Sequence, residues 1–131
     1  MDDLIQSGAA GLISLFHQKE GLELPKPFSQ EVFLYNTYVA GTSHVPGIEE
    51  LEPYLGIGDR LTLLREPENP FDNLAVLVKN ADGVKLGYVP RRDNAVFARL
   101  MDAGKLLFAK LTDKECGGGR VNLFIDIYLQ D

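Results

Sequence analysis

The sequence predicts a small, mostly β domain in which six short strands form an antiparallel barrel with inserted helices. Three observations lead to this fold class. Segments rich in β-branched and aromatic residues recur along the chain between turn signals. The Asp82-Gly83 pair joins two of these segments and is typical of a tight hairpin turn. A stretch with helical periodicity, residues 94–103, separates the fourth segment from the fifth.

Each predicted strand is a run of β-forming residues that ends at a turn signal. Pro46 and Gly47 break the chain after the first strand, Pro90 ends the fourth, and the glycines at 117–119 form a flexible turn before the last. In the last strand, the odd positions from 121 to 129 are apolar, which predicts one buried face. In chain order, the predicted strands are residues 30–41, 59–65, 74–80, 84–89, 105–113 and 120–130.

Two helices are predicted within this domain. A short helix covers residues 48–55, between the first two strands. The second covers residues 94–103, where four apolar residues at helical spacing give one face for the core. Asp93 is its predicted N-cap, and Gly104 is its predicted C-terminal stop.

The chain of 131 residues fits one folded domain with an appendage at its N-terminal end. Residues 2–20 carry one apolar stripe at helical spacing, and two prolines make residues 22–29 an extended connector. We therefore predict an N-terminal helix and linker over 1–29 and a folded domain over 30–131. The helix has too little positive charge for a membrane-surface helix, so we expect it to pack on the domain or on a twin subunit.

The charge balance limits the kind of partner. The formal net charge is −6, from 13 basic and 19 acidic residues, whereas proteins that cover long duplexes are usually basic. A small local basic patch stays compatible with nucleic-acid binding. The single cysteine, Cys116, excludes an internal disulfide framework and favours a reducing, cytoplasmic location. The acidic start Met-Asp-Asp is unlike a signal peptide, and the apolar run 8–16 is too short to span a bilayer, so no membrane association is expected.

The residues that could hold a metal or perform catalysis are sparse. One cysteine and two histidines 27 positions apart give no zinc-ligand spacing, and no glycine-rich phosphate loop with its lysine occurs. Ser43 and His44 are adjacent in sequence and suggest no nucleophile and base pair. We expect no cofactor, no metal and no catalytic site. A magnesium-dependent nuclease using Asp59, Asp72 or Asp82 is a separate hypothesis.

The loop after the second strand is the candidate binding site. Pro67 and Pro70 cannot donate to a sheet ladder and fix their own φ angles, so residues 66–70 must form a shaped loop. Phe71 and Asp72 then stand on that loop, immediately before the third strand. Binding residues tend to lie on loops that a rigid scaffold positions. The sequence therefore places a candidate site here.

Three stretches together resemble the HIRAN domain family: YVAGTSH at 38–44, REPENPFDNLAVLV at 65–78, and LGYVPRRDNAVFARLMDAG at 86–104. This family occurs fused to SWI/SNF-type DNA-repair ATPases and as a stand-alone bacterial protein, and the resemblance runs from Val32 to the C-terminus. It implies an OB-like six-stranded barrel with inserted helices. It also implies a module that binds single-stranded DNA, holds its free 3′ end, and has no catalysis of its own.

The resemblance assigns roles to individual residues. Phe71 matches the aromatic that stacks on a terminal base, and Asp72 matches the acceptor of a bond from the 3′-hydroxyl. Asn69, Tyr88 and Arg91 match the loop amide, an aromatic-or-histidine position and a basic residue near the backbone phosphate.

The first stretch departs from the DNA-binding members. Those members carry an arginine and an aromatic where this chain has Ser43 and His44, so a charged phosphate contact is missing. Five of the site residues also have an ordinary structural interpretation. Phe71 could be a core aromatic, Asp72 and Asn69 could form the turn, His44 could be solvated, and Tyr88 could be half-buried packing.

Two functions follow from these residues. The first is a nucleic-acid-binding module that recognises single-stranded DNA ends with a 3′-hydroxyl, in DNA repair or replication-fork processing. The alternative is a non-catalytic protein-interaction module that keeps the fold with weak or no DNA binding. The N-terminal helix would then supply a homodimer surface or a surface for an ATPase or helicase partner.

Overall fold

The structure is a computed structural model and describes residues 30–131. The predicted N-terminal helix and linker, residues 1–29, lie outside the described residues. Six strands are found at the predicted places: β1 Glu31–Tyr38, β2 Arg60–Glu66, β3 Ala75–Lys79, β4 Lys85–Tyr88, β5 Leu106–Gly117 and β6 Arg120–Gln130. Two α-helices, α1 Ile48–Leu51 and α2 Asn94–Asp102, and two 3-10 turns, Thr42–His44 and Glu52–Tyr54, complete the described part of the chain.

The predicted helix at 48–55 divides into α1 and the 3-10 turn Glu52–Tyr54. Pro53 causes this change, because its nitrogen cannot donate an intrahelical hydrogen bond. Strand β5 continues past its predicted end at 113 to Gly117, where it pairs with Arg120. In the long β5–β6 hairpin, β6 supplies pairing partners for these extra residues. The strand propensity of the residues themselves does not predict that pairing.

All pairings within the sheet are antiparallel, and the strand order is β1-β6-β5-β2-β3-β4. The six-stranded antiparallel architecture is therefore confirmed, but the sheet is not closed, which differs from the predicted barrel. Strands β1 and β4 are the two edges. They are linked by one bridge just beyond β1, where the Ala40 N–H donates to the Tyr88 carbonyl (2.7 Å) and the Tyr88 N–H donates to the Ala40 carbonyl (2.9 Å).

The bridge cannot extend into a longer ladder for a local reason. Gly41 has φ of +78° and turns the chain away from β4 into the 3-10 turn Thr42–His44. On the other side, the Val89 N–H donates to the Val76 carbonyl, and Pro90 has no N–H to offer. We call the meeting of these two edges, at Ala40 and Tyr88, the seam.

Gly87 allows the two edges to approach at the seam. Its φ is +152°, and a Cβ there would overlap the Ala40 carbonyl oxygen and lie 2.7 Å from Val39 Cγ1. A side chain at this position would push β4 away from the end of β1.

The core lies on the inward face of the sheet. Val121, Leu123, Ile125 and Ile127 of β6 are all buried, as the alternation predicts. Helix α2 packs Phe97 and Ala98 into the same core. Its neighbour Asp93 holds the predicted N-cap position but makes no side-chain cap hydrogen bond. Its carboxylate instead accepts hydrogen bonds from the Thr37 hydroxyl (2.9 Å) and the Tyr35 hydroxyl (3.4 Å), which ties the start of α2 to β1.

Candidate functional site

The β2–β3 loop is held in shape by its own side chains as well as by its prolines. The Asn69 side-chain oxygen accepts hydrogen bonds from the N–H groups of Phe71 (2.8 Å) and Asp72 (3.1 Å). One carboxylate oxygen of Asp72 accepts from the Leu74 N–H (3.0 Å). These short-range bonds are typical Asx turns, so the predicted turn roles of Asn69 and Asp72 are confirmed.

The end of the loop is fixed to α2 through Arg65. This guanidinium donates to the backbone carbonyls of Ala75 (2.7 Å) and Asn73 (3.0 Å). Its Nε also pairs with Asp102 at the end of α2, at 2.9 Å. Arg65 therefore holds the loop exit in place, which explains why an arginine opens the motif.

Phe71 projects from this rigid loop into solvent. Its exposed fraction is 83%, so the interpretation as a core aromatic is excluded. Its backbone carbonyl accepts a hydrogen bond from Arg91 Nη2 at 3.0 Å, while its N–H is held by Asn69. The ring is thus an exposed apolar face on a fixed backbone.

Asp72 is an ionised acceptor beside that ring. Its second carboxylate oxygen accepts from Asn94 Nδ2 at 2.7 Å and lies 3.6 Å from Arg91 Nε. The Leu74 N–H is the largest influence that lowers the pKa of Asp72, followed by the Asn94 amide and the Arg91 charge, and partial burial opposes them. Because the pKa is lowered from 3.8, the group is a carboxylate at neutral pH.

Tyr88 is oriented by a partly buried hydrogen-bond network with Glu66 and Asn69. The Tyr88 hydroxyl donates to Glu66 Oε1 (2.7 Å), and Asn69 Nδ2 donates to the same oxygen (3.0 Å). The Asn69 amide and then the Tyr88 hydroxyl lower the pKa of Glu66. Burial, with help from Glu66, raises the pKa of Tyr88, so the phenol stays protonated at neutral pH. The ring of Tyr88 is therefore locked from its hydroxyl end.

Ser43 and His44 follow the seam in the 3-10 turn, and both are exposed. Two neighbouring cavities adjoin the β2–β3 loop, with volumes of about 820 Å³ and about 440 Å³. His44, Asn69, Phe71 and Tyr88 line both, while Ser43 lines neither of them.

The two cavities differ in their other residues. The larger is also lined by Glu66, Pro67, Glu68, Pro70 and Lys85. The smaller adds Ala40, Gly41, Asp72, Ala75, Val89, Arg91 and Asn94. Six of the seven predicted site residues thus meet at one place, and Ser43 alone stands apart from the cavities.

Three residues of this site were missed from the sequence: Glu66, Lys85 and Asn94. Asn94 is only 2% exposed, and it reaches Asp72 across 22 positions of the chain. The sequence carries no signal for Asn94, because its burial and its hydrogen bond to Asp72 appear only in the structure. Glu66 was visible in the loop motif, but its hydrogen bond with Tyr88 was not.

A metal centre finds no support in the part of the chain that the structure describes. Within residues 30–131, no group of three or more histidine, cysteine or acidic side chains is placed to hold a metal ion. The three aspartates of the nuclease hypothesis lie apart in the fold: Asp59 before β2, Asp72 before β3 and Asp82 in the β3–β4 turn.

Within residues 30–131, no helix has the length and apolar character needed to cross a membrane.

The chain is similar to several characterised proteins. It is 34% identical over 59 residues to the helicase-like transcription factor of Oryctolagus cuniculus, a match that covers 45% of this chain and 6% of that protein. A crystal structure of a protein from Lactobacillus plantarum has a TM-score of 0.72 and 29% identity, over 77% of this chain and 96% of that one.

The human HLTF HIRAN domain also shares the fold. Its crystal structure has a TM-score of 0.58 and 18% identity, over 77% of this chain and 81% of that one. Its NMR structure in a DNA-bound conformation has a TM-score of 0.52 and 18% identity, over 77% of this chain and 80% of that one. The HIRAN domain family matches residues 32–130, which is most of the sequence, and the chain belongs to this family.

Proposed function

We propose that this domain binds single-stranded DNA and holds a free 3′ end, as a binding module in DNA repair or replication-fork processing. The observation that carries the proposal is the exposed ring of Phe71, fixed on a bonded loop beside the ionised carboxylate of Asp72. The solved HLTF HIRAN domain in its DNA-bound conformation shares this fold.

Phe71 would stack on the terminal base. Stacking needs a flat apolar face and no hydrogen bond, so a phenyl ring is sufficient, and it contributes about 1–3 kcal/mol per base. The loop holds the backbone of Phe71 at both its N–H and its carbonyl, so little backbone entropy is lost on binding.

Asp72 would accept a hydrogen bond from the 3′-hydroxyl. Its carboxylate already accepts from the Leu74 N–H and the Asn94 amide, but two carboxylate oxygens offer about four acceptor sites. The same negative charge would repel a terminal phosphate. The smaller cavity would therefore distinguish a hydroxyl end from a phosphorylated end.

Arg91 and His44 would contact the sugar-phosphate backbone. The Arg91 side chain is 71% exposed even though it pairs with Asp72, so part of its guanidinium faces solvent beside the cavity. A net charge of −6 disfavours broad electrostatic coverage, and a binding site confined to these few residues agrees with that charge.

The decisive experiment compares two short oligothymidylates that differ only in a 3′-hydroxyl or a 3′-phosphate, by fluorescence anisotropy with the full chain. We expect tighter binding of the 3′-hydroxyl strand. The Asp72→Asn variant keeps the shape but removes the charge, so it should bind both strands with similar affinity. Thermal unfolding of this variant controls for a loss of fold.

Equal affinity of the native chain for both strands would remove the end-specific part of the proposal. Binding of neither strand at low salt would favour the alternative, a protein-interaction module with the same fold. Any ATPase or helicase activity would then, as in the first proposal, belong to a partner.

A further inference from the structure

The larger cavity contains a cation to which the sequence analysis gave no role. Lys85, the first residue of β4, lines this cavity together with His44, Phe71 and Tyr88. Its ammonium lies 4.8 Å from the centroid of the Tyr88 ring, a cation–π contact that directs the side chain toward the site. Lys85 is exposed, so its ammonium is open to a ligand.

Lys85 makes no ion pair with a carboxylate of the described residues. No carboxylate oxygen of residues 30–131 lies within ion-pair distance of its Nζ, whereas Lys110 and Lys114 both have such partners. Glu66 and Glu68 also line the cavity. The Glu66 carboxylate accepts hydrogen bonds from the Asn69 amide and the Tyr88 hydroxyl, and the Lys85 charge acts on it without an ion pair, lowering its pKa after the effects of those two groups.

Lys85 could supply the positive charge that Ser43 does not provide. Ser43 offers no charge and lies outside both cavities, so the 3-10 turn contributes only His44 to the larger one. A lysine on β4 supplies a fixed positive charge to that same space. Lysine suits such a contact, because its ammonium binds phosphate as a point charge without strict geometry.

We propose that Lys85 binds a phosphodiester group of the DNA strand in the larger cavity and so replaces the charge that Ser43 lacks. This inference rests on the proposed function. It assigns the larger cavity to the strand backbone, while the smaller cavity receives the 3′ end at Asp72.

The test measures the affinity of a short 3′-hydroxyl oligothymidylate at several salt concentrations for Lys85→Gln and Lys79→Gln. Lys79 is the matched control, because it pairs with Lys85 across β3 and β4, carries the same charge and lines neither cavity. One phosphate contact to a single strand contributes about 0.7 to the slope of log K against log salt. Lys85→Gln should therefore lower that slope by about 0.7 and the affinity roughly fivefold at about 0.1 M salt. Lys79→Gln should change neither, and Lys85→Arg should keep the slope.

The 3′-phosphate strand separates this inference from the proposed function. Lys85→Gln should weaken both strands equally, since the contact is to the backbone, and leave their ratio as in the native chain. If the native chain prefers the 3′-hydroxyl but Lys85→Gln behaves like Lys79→Gln, the Lys85 contact is wrong and the end pocket stands. If the native chain binds both strands with equal affinity while Lys85→Gln still lowers the slope of log K against log salt, the 3′-end pocket is wrong. The Lys85 contact with the strand backbone is then supported. If no strand binds, both are overturned.

Discussion

Exposure of an aromatic ring does not by itself mark a binding residue, and this domain offers a direct comparison. Tyr54 is 82% exposed and Phe71 is 83% exposed, yet only Phe71 borders the two cavities beside the seam. Phe71 also has its N–H and its carbonyl bonded to Asn69 and Arg91. The difference between the two rings therefore lies in their surroundings and not in their exposure.

Phe71→Ala should weaken binding of single-stranded DNA without weakening the fold. Loss of one stacked base costs about 1–3 kcal/mol, or roughly 5- to 150-fold in affinity. An exposed side chain outside the core should change stability by no more than about 0.5 kcal/mol. Anisotropy titrations and thermal unfolding check the two statements. Tyr54→Ala is the control and should leave the affinity unchanged; equal losses in both variants would contradict the stacking role.

The residues proposed to bind DNA also have structural roles in the loop. Asp72 uses one oxygen for the Leu74 N–H and the other for Asn94, and its charge still faces the smaller cavity. Asn69 likewise shapes the loop with its oxygen and contacts Glu66 with its nitrogen. The turn interpretation and the binding interpretation of these residues are therefore compatible.

At the scale of whole elements, the site forms where the sheet fails to close. The residues after β1 contribute Ala40, Gly41 and His44, while β4 and the residues after it contribute Tyr88 and Arg91. The loop between β2 and β3 then stands beside this seam. Because the seam has only one bridge, the cavities can lie beside it, where a continuous ladder would have joined the two edges.

Gly87→Ala should disrupt the seam. A Cβ at this position meets the Ala40 carbonyl and Val39, so the edges must move apart or the backbone must strain, at a cost of about 1–3 kcal/mol. For a domain of this size, each 1 kcal/mol lowers Tm by about 4–8 °C. Differential scanning calorimetry measures the shift.

Gly83→Ala is the matched control for this variant. Gly83 has φ of +82° in the β3–β4 turn, and a Cβ there would have open space around it. It therefore reports the cost of positive φ alone, about 1 kcal/mol. If Gly87→Ala lowers Tm no more than Gly83→Ala, the close approach at the seam does not constrain β4.

At the scale of the whole molecule, acidic side chains with stabilising partners are spread over the domain. The pKa is lowered in Glu31 by Lys110, in Glu52 by Lys114, in Glu66 by Asn69, in Asp72 by the Leu74 N–H and in Asp102 by Arg65. Several of these pairs are exposed, so each contributes little alone, and their common direction is what matters.

The lowered pKa values predict that the domain loses stability in acid. A carboxyl whose pKa is lower in the folded state stabilises the fold fully above its unfolded pKa. That contribution is lost as pH falls through the folded value. The loss should begin as pH falls toward 4.5 for the glutamates and 3.8 for the aspartates, and be complete below their lowered folded values.

Urea unfolding between pH 7 and pH 3 measures this dependence. Glu66→Gln removes one such carboxyl while its side-chain oxygen can still accept from Tyr88, so its stability should fall less steeply in acid than that of the native chain. A stability that stays level or rises as pH falls below 4.5 would contradict the prediction.

The sequence alone predicts the six strand segments, the Asp82-Gly83 turn, the shaped loop before β3, the family, and the residue types available for a site. The strands, the turn and the loop depend on local periodicity and on proline and glycine geometry, which can be read from neighbouring residues. The family was identified from the resemblance of three stretches, 38–44, 65–78 and 86–104. The tertiary structure adds that the edge strands β1 and β4 are linked only by one bridge, at Ala40 and Tyr88. It also shows that Ser43 lines neither cavity, whereas Glu66, Lys85 and Asn94 line one cavity each. The physical reason is that the site depends on contacts between distant positions, such as Glu66 with Tyr88 and Asp72 with Asn94, each 22 residues apart. Such pairs leave no periodic trace in one sequence.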